Sequence, residues 1–484
     1  MCEEEEGMHT YLALDRGIFE GHHMSNAVLR GRKLTKDKEN NPLFTQDYFG
    51  TPPKKWEVRY DNGYPNVIYD EKEGVYRCYY TLIIQDEAAE RELLKADNKE
   101  SEVYGTETGR ITSLAYAQSV DGIHWEKPDL GIVEFGGNRE NNLLLRFAHG
   151  TGVFLDQDES VPDRRYKLVT KVEYPTGQNY MAVGFSGDGI HFGDLIPWPE
   201  FNPPGDAHNY PFYDRKTGKY RLITRMWKNG VRIVAGCESQ DFVNWSEPVE
   251  ILRGRGFEDQ MYSMPVFPLD DIYLGLASVY HEGDQLDENY DTVDVELMFS
   301  TDLKVFDSVG AGDYLLERGE GEYPDGEFDC GCIYMSPPVK IGSRLYFYYM
   351  GGNGKHTGHR RTSLARAWTE EERLAYYTTK RAGIPARLST YNFSILGSDL
   401  TINAEIETNG WIRVGLGRRD GRDYPGFEAE NCSLVPVGEE RYLVRFPGHK
   451  LEELGSLPVS LHITMEKAKL YTIGGDLEIM GLKY

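Results

Sequence analysis

The chain has 484 residues, 40% of them hydrophobic and 12% aromatic, enough apolar content for a sizeable core. Its 78 acidic residues outnumber the 53 Lys and Arg, and the resulting charge of −25 repels phosphate polymers and anionic lipid headgroups with no dense basic run to offset it. Nucleic acid and membrane surfaces are therefore excluded as partners, and the length suits one large domain with a smaller companion.

The opening Met1-Cys2-Glu3-Glu4-Glu5-Glu6 is acidic where an export signal would be basic and then apolar, and no run of ~18 apolar residues follows anywhere. The six cysteines are scattered apart from Cys330-x-Cys332, which reads as reduced thiols and a cytoplasmic location. Tyr11-Leu12-Ala13-Leu14-Asp15 is a predicted strand, set either to close a last blade or to brace the C-terminal region.

From residue 65 onward one pattern recurs: an apolar strand, a turn, then an aromatic-rich strand. Its copies are Pro65–Asp70 with Val75–Tyr80, Gly152–Asp156 with Arg165–Val169, Asn209–Asp214 with Lys219–Ile223, Met264–Phe267 with Ile272–Leu276, and Pro338–Ile341 with Leu345–Tyr349. A second phrase interleaves with it, as Ala115–Trp125, Val183–Phe192, Ala235–Trp245 and Leu297–Leu303. In this phrase a strand ends at an Asp-Gly-like turn, where Asp121, Asp188 and Asp241 read as turn residues, and an aromatic then plugs back between sheets. The hairpins lie 55 to 87 residues apart, room for blades of ~40–50 residues with loops. Five copies in constant order predict an all-β fold whose main part, residues 1–380, is a five-bladed β-propeller. A sandwich of similar strands is the alternative.

Asp86–Ala96 is a run of helix formers and predicts a helical insertion in the first blade, and Glu370–Leu374 is a second helix-like stretch. Gly351–His356 is glycine-rich but lacks the ending of a phosphate loop, and reads as a flexible loop over the propeller funnel. After Gly383-Ile384-Pro385 the repeat stops, and residues 387–484 alternate apolar and polar side chains as a β-sandwich does.

In a propeller the inner strands converge on the axis, so groups ahead of them share one funnel. Asp61, His149, Asp206 with His208, Glu258 with Asp259, and Glu327 with Asp329 occupy that offset. Asn62, Gln260, Arg225 and His356 are further candidates for substrate binding beside His149, His208, Glu258 and Asp259. Each carboxylate has a plainer reading as a turn residue, and each histidine as a buried hydrogen-bonding group. Cys330-x-Cys332 lacks the second pair a structural zinc site needs, so neither metal nor other cofactor is expected; a pore cation is the alternative, and calcium there would take oxygen ligands.

The five blades with a C-terminal sandwich, the Asp-Gly-Ile-His-Trp phrases and Phe328-Asp329-Cys330-Gly331-Cys332-Ile333-Tyr334 resemble glycoside hydrolase family 32, the relatives of invertases, levanases and inulinases. The family's Asn-Asp-Pro-Asn-like motif has a rearranged counterpart in Asp61-Asn62-Gly63-Tyr64-Pro65-Asn66, whereas Arg-Asp-Pro is missing and Cys237-Glu238 reverses the family's Glu-Cys. The resemblance implies a glycoside hydrolase acting on small oligosaccharides, furanosides such as β-fructosides first. Asp61 is then the expected nucleophile or base, Asp206 the orienting carboxylate, and Glu327 or Asp329 the acid. An arabinofuranosidase, a phosphorylase whose phosphate cradle would draw on Arg225, Arg232, Arg360 and Arg361, and a noncatalytic carbohydrate-binding propeller are the alternatives. A homo-oligomer is compatible with all of them.

Overall fold

The computed structural model describes residues 9–20, 23–94, 109–200 and 203–480. The described residues form two compact units: one contains Lys33–Ser308 and Tyr314–Thr369, the other lies within Met1–Arg32, Val309–Asp313 and Glu370–Tyr484.

The first unit is a five-bladed propeller. Three blades are four-stranded antiparallel meanders in chain order, beginning with the inner strands Asn66–Asp70, Ala148–Leu155 and Tyr210–Asp214. In the fourth and fifth blades the inner strand is split, into Asp259–Ser263 with Val266–Leu269 and into Cys332–Met335 with Val339–Ile341. The splits fall at Pro265 and at Pro337-Pro338, because proline cannot donate to a ladder. They also explain why the repeat is visible in sequence only from Met264 and Pro338 onward. The outer edge of the fifth blade is supplied from the other end of the unit: Thr35–Lys36 and Phe44–Thr45 pair with Thr362–Glu370.

Neighbouring blades are joined by a repeated contact. An aspartate at or just past the end of each of the first three inner strands accepts the hydroxyl of a tyrosine in the first two residues of the next blade's second strand: Tyr166 to Asp70 at 2.6 Å, Tyr220 to Asp156 at 3.0 Å, Tyr273 to Asp214 at 2.6 Å. The Asp-Gly phrases are a second joint. Asp121 Oδ1 accepts the backbone N–H groups of Ile123 and His124, and Asp188 Oδ1 those of Ile190 and His191, closing the predicted turns. Gly122 and Gly189 then sit at φ of 72° and 75°, and their carbonyls accept the hydroxyls of Tyr348 and Tyr79 from the adjoining blade. A β-carbon at Gly189 would stand 2.5 Å from the Tyr79 oxygen, so the turn needs glycine for space as well as for backbone angle. In the third blade the same position is Phe242, φ 68°, which fills that space with its own ring against Phe154 and Phe185.

The predicted insertion forms the helix Glu87–Leu94, started by Asp86, whose Oδ1 accepts the N–H groups of Ala88 and Ala89. Its expected last residues, Lys95 and Ala96, lie outside the described residues. Glu370–Leu374 contributes a single 3-10 turn, Glu371–Arg373.

The second unit is a β-sandwich built on two long strands, Phe393–Gly417 and Ser460–Ile479, whose ladder is interrupted between Ile395 and Leu400, Asn403 and Ala404, and Ile406 and Trp411. Such breaks let a strand this long bend and serve two faces. Ile402, Val414, Leu461, Ile463, Ile473 and Leu477 are among its buried apolar residues. The first described strand, His9–Leu12, pairs with Ser460–Ile479. Of its two expected roles it therefore takes the bracing one, and the described residues before Lys33 group with the sandwich unit.

Candidate active site

The first blade is preceded by a tight turn, Asp61-Asn62-Gly63-Tyr64, in which two residues that carry a β-carbon adopt left-handed angles: Asp61 at φ 53° and Tyr64 at φ 43°. Each costs of order 1–3 kcal/mol and persists only where its surroundings over-determine it. Here the determinants come from the fifth blade. Arg360, fully buried, donates through Nη2 to Asp61 Oδ1 at 2.9 Å and to Asn62 Oδ1 at 2.6 Å, and Thr362 Oγ1 donates to the Asp61 carbonyl at 2.9 Å. Arg59 Nη2 reaches the same Asp61 Oδ1 at 3.1 Å. Burial pushes the Asp61 carboxyl up, but the two guanidinium groups overcome it and hold the group far below the usual carboxylate range.

Asp206, ahead of the third blade, forms an ion pair with Arg225, which lies over the Tyr262 ring at 4.7 Å. Burial raises its pKa, Arg225 outweighs burial, and the carboxyl is again held low. Its other oxygen, Oδ1, is buried and accepts no hydrogen bond among the described residues. Arg232 is stacked on Trp227 at 4.5 Å and on Tyr280 at 4.6 Å, and donates to Gln260 and Glu282, both at 2.9 Å. Trp227 itself is 46% exposed. Tyr64, Ala207, Tyr262, Tyr280, Val293, Cys332 and Tyr334, drawn from four blades, form one buried apolar cluster.

The other sequence candidates fall into three groups. His149 bonds Glu173 through Nδ1 at 3.0 Å and lines a small cavity with Asp61, Asn62, Thr81, Arg110 and Thr112. His208 is buried on Asn66 at 2.9 Å, with its pKa pushed down to about 3 by burial, and His356 is held between the Tyr262 and Tyr280 rings with Nδ1 3.1 Å from the Tyr334 hydroxyl. In the fourth blade, Asp259 bonds Arg255 at 2.9 Å and His281 at 2.7 Å, whereas Glu258 is exposed. Asp329 is buried on Lys36 at 2.7 Å and the Tyr349 hydroxyl at 2.9 Å, and Glu327 is exposed, accepting the Glu320 N–H at 3.0 Å. The described interactions bring Asp61 and Asn62 together with Arg360 and connect neither of them to Glu327 or Asp329.

Arg59, Arg110, Glu173 and Trp227 are among the participants that escaped sequence reasoning. The expected ring drew only on residues ahead of inner strands, but the end of each second strand opens at the same mouth. The pairings His149 with Lys171 and Asp259 with His281 show this, and counting hairpin register outward from each turn would have found Glu173. A larger cavity of about 660 Å³ opens at the opposite ends of the inner strands, but Asp156 and Asp214 in its wall are engaged with Tyr220 and Tyr273 of the next blades.

No protein-family model and no curated protein matches the sequence. Among solved structures, the chain is similar to an N-acetylgalactosamine deacetylase from F. plautii in complex with blood group B trisaccharide, at 15% identity over 72% of this chain and 96% of that one, TM-score 0.46. A β-1,2-mannobiose phosphorylase from Listeria innocua matches at 15% identity over 72% and 98%, TM-score 0.45. A fructofuranosidase from Schwanniomyces occidentalis, complexed with fructosylnystose, matches at 12% identity over 93% and 99%, TM-score 0.41.

Proposed function

We propose that the propeller funnel binds a small oligosaccharide and cleaves its glycosidic bond, with furanosides such as β-fructosides as the first substrates to try. The observation that carries this reading is the state of Asp61. Both arginines engage one oxygen, Oδ1, so the carboxylate is fixed and ionised while Oδ2 remains for a ligand. That is the condition of a glycosidase nucleophile or of a carboxylate stabilising an oxocarbenium-like transition state. Asp206, with one oxygen on Arg225 and the other buried without a partner among the described residues, is suited to orient a sugar hydroxyl. The half-exposed Trp227 ring offers an apolar platform at the mouth.

The test is a turnover screen of fructans, sucrose and aryl furanosides, with and without phosphate. Cleavage is expected, with Asp61→Asn lowering kcat by ~10²–10⁴ and leaving substrate binding in place. Full activity of Asp61→Asn, or binding without turnover in the wild type, overturns the reading, the latter in favour of a carbohydrate-binding propeller. Turnover that depends on phosphate identifies a phosphorylase, for which Arg225, Arg232 and Arg360 are the phosphate-binding candidates.

A further inference from the structure

Glycoside cleavage needs a group that delivers a proton to the departing oxygen. At the funnel, Asp61, Glu173, Asp206 and Asp259 are each held below the ordinary carboxylate range by cationic or hydrogen-bonding neighbours, so all four are ionised at neutrality. None of these four holds a proton to give in that state. We propose that His149 carries this proton, with Glu173 as its positioning residue, a role that rests on the glycosidase reading above.

The geometry singles out His149 among the funnel histidines. His208 gives its Nε2 to Asn66 and has no carboxylate partner. His356 is closed in by tyrosines. His281 has both nitrogens on carboxylates, Asp259 at 2.7 Å and Asp294 at 3.0 Å. His149 alone of these has Nδ1 on a carboxylate, Glu173 at 3.0 Å, and no hydrogen bond on Nε2 among the described residues, and it lines with Asp61 a cavity of about 10 Å³, the size of one water, which a sugar would have to widen. Glu173 is itself fixed, by Arg110 at 3.4 Å and Lys171 at 3.6 Å. A carboxylate on one ring nitrogen sets the tautomer and the ring plane, and stabilises the imidazolium when it forms.

In the first step the Nε2–H proton passes to the leaving oxygen as the bond from that oxygen to the anomeric carbon breaks, its electron pair staying on the oxygen. Asp61 Oδ2 forms the new bond to carbon. In the second step water attacks the same carbon and gives a proton to Nε2, and the bond to Asp61 breaks with its pair returning to the carboxylate. The sum is hydrolysis, with both residues restored.

The groups facing His149 fix the pH dependence. They are Glu173 and Lys171 of its own blade, Arg110, Asp61 and Tyr64 of the first, and Asp206 of the third. Burial, with Arg110 and Lys171, holds the imidazole below its ordinary value in spite of Glu173, so the active imidazolium grows as pH falls below neutral. Asp61 stays ionised through that range.

Two measurements test this. On a sugar substrate the wild type cleaves, His149→Gln should lower kcat ~10²–10⁴-fold. On a nitrophenyl glycoside, whose leaving group departs as a stable anion, the loss should shrink below ~10-fold, whereas Asp61→Asn should lose activity on both. Glu173→Gln should shift the alkaline limb of the kcat profile to lower pH, since the imidazolium loses its counter-charge. Equal losses of His149→Gln on both substrates, or an unmoved limb in Glu173→Gln, overturn the proposal and leave the glycosidase reading standing. Should His149→Gln fail to fold, the Glu173→Gln limb decides alone. A wild type that cleaves no glycoside overturns both readings. Independently of turnover, ¹⁵N-histidine NMR should show Nδ1 protonated throughout and Nε2 gaining its proton as pH falls; a bare Nδ1 at pH 7 overturns the proposed dyad.

Discussion

Arg360 Nη2 lies 2.9 Å from Asp61 Oδ1, a contact spanning 299 positions of sequence and joining the last blade to the first. The resemblance pairs Asp61 with a fifth-blade acid, Glu327 or Asp329; in the described contacts what the fifth blade brings to Asp61 is a guanidinium. The difference matters chemically, because a neighbouring carboxylate would raise the Asp61 pKa and a guanidinium lowers it.

Arg360→Met should therefore destabilise the propeller by about 3 kcal/mol at pH 7, the low end for breaking a buried pair, and release the left-handed turn at Asp61. The folded Asp61 pKa is depressed, so its contribution to stability is complete above ~pH 4, the unfolded value, and is lost as pH falls through the folded one. Urea denaturation at pH 7 and pH 3 should show the gap between wild type and variant narrowing at the lower pH. A constant gap would mean that Arg360 acts through packing alone.

Tyr273→Phe should cost about 1.5 kcal/mol, the value of a buried hydrogen bond to a charged acceptor. Burial pushes Asp214 up, but Thr217, Tyr273 and Arg221 together bring it below its usual value, so this advantage too is present above ~pH 4 and fades in acid. Tyr166→Phe and Tyr220→Phe make the same change at the preceding junctions, and the three should add, since no two share a partner. Chemical denaturation of the single and triple variants measures both.

Gly189→Ala should destabilise by about 1–3 kcal/mol, part from the positive φ and part from the approach to Tyr79 Oη. Adding Tyr79→Phe removes the oxygen and should recover the steric part only. A double-mutant cycle in thermal denaturation separates the two, and full additivity would show that the tyrosine is not the obstacle.

Glu405→Gln should leave turnover unchanged. Its carboxylate, in the sandwich unit, bonds Lys469 and Tyr471, both at 2.8 Å, and pairs with Arg32 at 3.2 Å, so its loss should appear as about 1 kcal/mol in stability. Abolished turnover in a folded variant would move the chemistry out of the propeller.

The propeller was legible because its hairpins and Asp-Gly turns are local: Asp121 and Asp188 bond backbone groups two and three residues away, and such contacts leave a mark within one window of sequence. The pairing of Thr35–Lys36 with Thr362–Glu370 leaves none, since two residues of strand carry no period. The same distinction runs through the site. Asp61 and Asp206 stand four or five residues ahead of their inner strands and His149 at the start of its own, and they are visible for that reason, whereas the Arg360 contact that fixes Asp61 exists only once the ring is closed.

The short outer strand of the fifth blade also orders events in time. Thr35–Lys36 and Phe44–Thr45 are made more than 300 residues before their partner Thr362–Glu370. At a synthesis rate of roughly 5–20 residues per second, that is tens of seconds during which the segment has no native neighbour. The ring can therefore close only after Thr362–Glu370 has emerged, and the loop it closes is of high contact order, which slows the step. Lys36 then sets its ammonium on the buried Asp329, so the last junction to form neutralises a carboxylate that would otherwise be buried without its cation.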